Sequence, residues 1–83
     1  MITLDRFILL SLVERLHYVF NHGNEIFCKQ EEGFLIKLYA LDNLFVEVWF
    51  QVAKNKIEKV IALNEENVLI HYGDLIDISQ LLN

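Results

Sequence analysis

Residues 24–53 read NEIFCKQEEGFLIKLYALDNLFVEVWFQVA, and this stretch decides the fold. From Asn24 onward apolar residues recur at every second position, the spacing of a β-strand. Glu31–Glu32–Gly33 and Leu41–Asp42–Asn43 interrupt the pattern, and Lys54–Asn55–Lys56 follows it. These breaks predict four strands near 24–30, 34–40, 44–53 and 57–63. Connections this short make hairpins, so the strands are expected to be antiparallel and adjacent in chain order.

The breaks also suggest a register. Three-residue loops with Gly33 and Asn43 in the left-handed conformation use residue types that tolerate it. Cys28 then faces Ile36, Ile26 and Val46 face Leu38, Val48 faces Ile36, and Phe34 faces Phe50. One face becomes continuously apolar, and on the other Lys37 falls opposite Glu47, a favourable cross-strand pair. A two-residue second loop sets Leu38 against Glu47 and Lys37 against Val48, so the three-residue reading is preferred. The second face then carries Phe27, Leu35, Tyr39, Phe45 and Trp49, with Ile57, Ile61 and Leu63 added by a three-residue third loop. That is too apolar for a face left in water.

Residues about 3–22 read as one amphipathic helix. Thr3 is its N-cap and Asp5 sits beside the positive end of its dipole. At 100° per residue Ile8, Leu9, Leu12, Val13, Leu16, Val19 and Phe20 share a broad arc, expected to face the sheet. Phe7, Leu10 and Tyr18 fall among Arg6, Ser11, Glu14, Arg15 and His17 on the other side. Gly23 is expected to end the helix in the left-handed conformation. The segment 64–83 holds enough apolar residues (Val68, Leu69, Ile70, Tyr72, Leu75, Ile76 and others) to lie over the second sheet face, or to extend the sheet near 68–72. A short closing helix would start at Asp77 or Ser79. The fold class is therefore α+β: an N-terminal helix on a four-stranded antiparallel meander (about 24–63), with a short C-terminal strand or helix, in one compact domain spanning 1–83.

Size and composition narrow the function. A chain of 83 residues buries only ~60% of its unfolded surface, which leaves a stability of about 5 kcal/mol, the lower limit for domains. With one cysteine no internal disulfide forms, which suits a reducing compartment. The apolar run Phe7–Leu10, resumed at Leu12, is far below the ~20 residues of a membrane span, and no cleavage-site pattern follows it. A cytoplasmic location with no membrane partner is expected. The net charge is −5, and the segment from Asn64 onward carries Glu65, Glu66, Asp74 and Asp77 without a lysine or arginine. Lys54, Lys56 and Lys59 form the only basic cluster, interrupted by Glu58, so no nucleic-acid partner is expected.

Cys28 points into the helix-covered face in the preferred register and reads as an inert, core-filling thiol. His17 and His22 lie five apart, not at the spacing of three or four that helical metal pairs use. His71 has no partner in the pattern. Gly73–Asp74–Leu75–Ile76–Asp77 lacks the alternate oxygen ligands of a calcium loop. No catalytic residue, metal or cofactor is assigned. The candidate interaction surface is Tyr39, Phe45, Glu47, Trp49 and Lys37, broad aromatics among charges as at interface hot spots. The expected function is a non-enzymatic protein–protein interaction module, self-associating through this aromatic face as a homodimer. Two alternatives stand beside it: a ligand-binding domain or enzyme with a pocket between sheet and C-terminal segment, with His71, Tyr72 or Asp74 at its mouth, and an acidic inhibitor or immunity-type partner of another protein.

Overall fold

A computed structural model of the protein describes residues 2–75. The elements run α1 (Leu4–Phe7), α2 (Leu12–His22), β1 (Asn24–Glu31), β2 (Phe34–Leu41), β3 (Leu44–Gln51), β4 (Lys56–Leu63) and α3 (Glu65–Tyr72). The strands form one antiparallel sheet in the order β1-β2-β3-β4. The α+β class, the N-terminal helical segment, the meander and a C-terminal helix are all present. The helix starts predicted at Asp77 and Ser79 lie outside the described residues.

The N-terminal helix is broken in two. Ser11 and Glu14 form a reciprocal capping box: Glu14 N–H donates to Ser11 Oγ (3.1 Å) and Ser11 N–H donates to Glu14 Oε1 (2.9 Å). A cap of this kind starts a new helix, and it resets the phase of everything downstream. The buried side chains are consequently Phe7 and Val19, with Leu10, Leu16 and Tyr18 packed against them. Ile8, Leu9, Leu12, Val13 and Phe20, expected to face the sheet, are exposed. Gly23 is not left-handed either. Its φ is −89°, and a Cβ there would lie 2.8 Å from the Val19 carbonyl oxygen.

Arg15, assigned by its wheel position to solvent, holds the break together. Its guanidinium donates to the carbonyls of Leu10 (3.1 Å), Ile8 (2.8 Å) and, on β4, Val60 (2.9 Å). These are acceptors that the ended helix and an edge strand leave free.

The loops β1–β2 and β2–β3 have two residues, not three, so the register differs from the preferred one. Glu31 pairs with Phe34 and Leu41 with Leu44, which sets Leu38 opposite Glu47, Lys37 opposite Val48 and Ile36 opposite Trp49. A one-residue slip exchanges the faces of a strand. On β3, Val46 and Val48 face the N-terminal helices and Phe45, Glu47 and Trp49 the other side, as expected. On β2 the assignment is reversed: Ile36 and Leu38 lie on the α3 side, Tyr39 and Leu41 on the α2 side. The loop before β4 spans four residues, 52–55. A bulge at the Trp49/Phe50 pairs then sets Ile57 on the α2 side while Ile61 stays opposite Glu47. In the first loop both central residues have positive φ, Glu32 at 44° and Gly33 at 87°. Glutamate is strained there, whereas Asn-Gly suits such hairpins. Glu32→Asn is therefore expected to raise the unfolding free energy by about 0.5–1 kcal/mol, read from urea denaturation.

Two cores result. Phe7, Val19, Leu41, Leu44, Val46, Val48 and Val60 fill the space beneath the N-terminal helices. Leu38, Phe45, Val68 and Tyr72 fill the space beneath α3. The C-terminal helix starts at Asn64, whose Oδ1 accepts from the Asn67 N–H at 2.8 Å, with Glu65 and Glu66 in its first turn. It therefore covers the second sheet face, and the alternative strand near 68–72 does not form.

Candidate functional site

The five residues of the predicted interaction surface do not share a face. Phe45, Glu47 and Trp49 lie on the α3 side, Lys37 and Tyr39 on the α2 side. The expected Lys37–Glu47 pair is absent because the slipped register separates the two. Lys37 pairs instead with Glu25 on β1 at 3.1 Å. The hydrogen bond to that carboxylate raises the lysine pKa above its ordinary value.

Beneath α3 the polar groups are fully engaged with one another. The Glu47 carboxylate is buried. Trp49 Nε1 donates to its Oε1 at 3.1 Å, and the Tyr72 hydroxyl donates to its Oε2. Burial, reinforced by this bond, pushes the Tyr72 pKa well above the usual phenol value. Phe27 meets the Tyr72 ring edge-on at 5.9 Å, and Lys29 Nζ lies 4.6 Å from its centroid. Trp49 is likewise held, with Phe34 edge-on at 5.3 Å and Lys59 Nζ 4.5 Å from the ring. With Leu38, Phe45, Val68 and Tyr72 at 0–4% exposure, the volume between sheet and α3 is occupied by the protein's own side chains.

The opposite face is different. α1 and α2 cover the part of the sheet around Leu41, Leu44 and Val60, and among the described residues no helix covers the rest. There a groove of about 280 Å3 is lined by Phe20, Leu35, Lys37, Tyr39, Val48, Phe50 and Ile57. Phe20 forms its wall, 6.1 Å from the Tyr39 ring. Burial raises the pKa of Tyr39, so the hydroxyl stays protonated at neutral pH. The apolar surface continues up the helix. At 100° per residue Leu12, Val13, Leu16 and Phe20 fall within about one quarter-turn of α2, and Val13 is 73% exposed, Phe20 58%. Leu9, in the turn before the capping box, is 83% exposed.

No protein-family model, curated protein or solved structure matches this chain.

The remaining reactive groups are dispersed. Cys28 is exposed rather than buried, because β1 is an edge strand that α2 does not reach. It sits opposite Lys37. His17 and His71 are exposed on α2 and α3, and the His22 ring lies 4.6 Å from that of Tyr18, tilted by 45°. Among the described residues no three His, Cys, Asp or Glu side chains converge as a metal site would require, and no helix is long and apolar enough to cross a membrane. The sequence reading missed Phe20, Leu35, Phe50 and Ile57 as a surface. Ser11–Leu12–Val13–Glu14 was the signal that exposes it, since a helix begun at Leu12 with Val19 inward turns Val13 and Phe20 outward.

Proposed function

We propose that the protein is a non-enzymatic interaction module that associates with a second copy of itself through the apolar surface of its N-terminal helices. The observation that carries this reading is the exposure of Ile8, Leu9, Leu12, Val13 and Phe20 along the N-terminal helical segment, with Phe20 also lining an open apolar groove. An apolar patch of several hundred Å2, roughly the largest a soluble monomer tolerates, commonly marks an interface. The aromatic sheet face is not the surface offered, because α3 occupies it. Light scattering after size exclusion across a concentration series tests the proposal. A concentration-dependent dimer is expected, with Val13→Lys shifted to monomer while its circular dichroism is unchanged. A monomer at every concentration, for both proteins, overturns it.

A further inference from the structure

We infer that α3 is a hinged lid: it comes off the sheet about Asn64 as one unit, while the four strands and the N-terminal helices stay folded, and it uncovers Leu38, Phe45 and the Glu47 carboxylate.

Nothing in the sheet depends on α3 for its backbone pairing. The ladders run from β1 to β4 without it. The bonds of α3 close within the helix and its caps, from the Val68 N–H to the Asn64 carbonyl (3.1 Å) and from the Gly73 N–H to the Leu69 carbonyl (3.0 Å). Two of its side chains are buried, Val68 and Tyr72, and the Tyr72 hydroxyl donates to Glu47. Leu69 and Ile70 face water. The N-terminal helices are tied down differently, by buried Phe7 and Val19 and by Arg15, which reaches the Val60 carbonyl on the edge strand.

Hinge and latch lie at opposite ends of the element. Asn64 follows directly on Leu63, the last residue of β4, and Tyr72 is the last residue of α3. Eight residues make a helix about 12 Å long, so the hydrogen bond to Glu47 acts far from the pivot. An isolated helix shorter than about 12 residues is marginal in water. Undocking and melting of α3 are therefore one step. Beneath it, Leu38 and Phe45 lose their cover, which opposes opening. Glu47 works the other way. Its carboxylate is buried, and its two donors, the Tyr72 hydroxyl and the Trp49 indole, are neutral groups. Desolvation of a charge is costly, and opening returns this one to water. Trp49 keeps Phe34 and Lys59 as neighbours on the strands, so the floor stays in place when the lid leaves.

Native-state hydrogen exchange of the unsubstituted protein in low urea tests the lid. The Val68 and Gly73 amides are expected to exchange about tenfold faster than those of β2 and β3, through one shared opening. Their urea dependence should be shallower, because the opening exposes less surface than global unfolding does. Thiol labelling reports the uncovered face. In a Cys28→Ala background, Leu38→Cys beneath α3 should react with a soluble thiol reagent about tenfold faster than Val46→Cys beneath α2. Exchange in α3 with the rate and urea slope of the strands overturns the inference. So does fast exchange in α3 with Leu38→Cys no more reactive than Val46→Cys, which is fraying of a helix end and not the opening of a lid.

Discussion

Tyr72→Ala is expected to lower the unfolding free energy by about 3–5 kcal/mol, most of what an 83-residue chain has to lose. Two losses combine. The ring is 1% exposed, wedged between Phe27 and Lys29, so its removal leaves a cavity under α3 that the sheet, with strands on both sides, closes poorly. The hydroxyl is the donor to Glu47 Oε2, and a buried carboxylate left without that donor is costly. Tyr72→Phe isolates the second loss and is expected to cost about 1.5–3 kcal/mol. In the Glu47→Leu background, where no carboxylate remains to be satisfied, Tyr72→Phe should cost much less. Urea denaturation of the four proteins gives the coupling directly. A cycle with no coupling would show that the hydroxyl does not serve Glu47.

The same contact gives the pH dependence a sign. Burial raises the Tyr72 pKa in the folded protein above the unfolded value near 10. The folded state therefore holds the phenolic proton more tightly. Its contribution is fully present below pH 10 and is lost as the pH rises above it, at about 1.4 kcal/mol per pH unit for one proton. Tyr39, also raised by burial, adds to this alkaline limb. Tyr72→Phe should shallow it by one proton's slope, measured as the urea midpoint against pH.

The meander was legible because turn-forming residues punctuate it: Glu32–Gly33 and Asp42–Asn43 mark the hairpins whatever the loop length. The register was not, and the reason is physical. Alternation specifies register only when one face is wet. Here α3 covers one face and α1 and α2 part of the other, and β2 and β3 are apolar at consecutive positions, Phe34–Leu35–Ile36 and Leu44–Phe45–Val46. Sliding one past the other then exchanges one apolar set for another. Avoiding Leu38 opposite Glu47 favours the three-residue loop. It failed because Glu47 finds its partners outside the sheet, in Tyr72 on α3 and Trp49 two residues along its own strand. The candidate surface followed the register, so Lys37 and Tyr39 parted from Phe45, Glu47 and Trp49. The helix face was misjudged for a different reason. A continuous apolar periodicity across Phe7–Val13 concealed a capping box at Ser11 and Glu14, and a break inside a periodic run rotates the two halves independently.

That break explains why Arg15 is expected to be the most sensitive charged residue of the N-terminal half. Its three donors reach carbonyls in the α1–α2 turn and on β4, and its guanidinium carbon lies 5.8 Å from the centroid of the buried Phe7 ring. Arg15→Ala removes the donors and uncovers Phe7 at once, and a loss of about 2–4 kcal/mol is expected from hydrogen bonds made by a charged group. Lysine should recover little of it. One ammonium on a flexible stem cannot reach two carbonyls in the turn and one on a strand edge, whereas the planar fork spans all three. A surface arginine with only solvent contacts behaves otherwise, with Ala and Lys both within about 0.5 kcal/mol of the parent. Hydrogen exchange separates the cases. If Arg15 ties the turn to β4, Arg15→Lys should lower amide protection at Val60 and in the first turn of α2 while leaving β2 and β3 near their global values. Unchanged protection at those amides, with unchanged stability, would show that the helices are held to the sheet by Phe7 and Val19 alone.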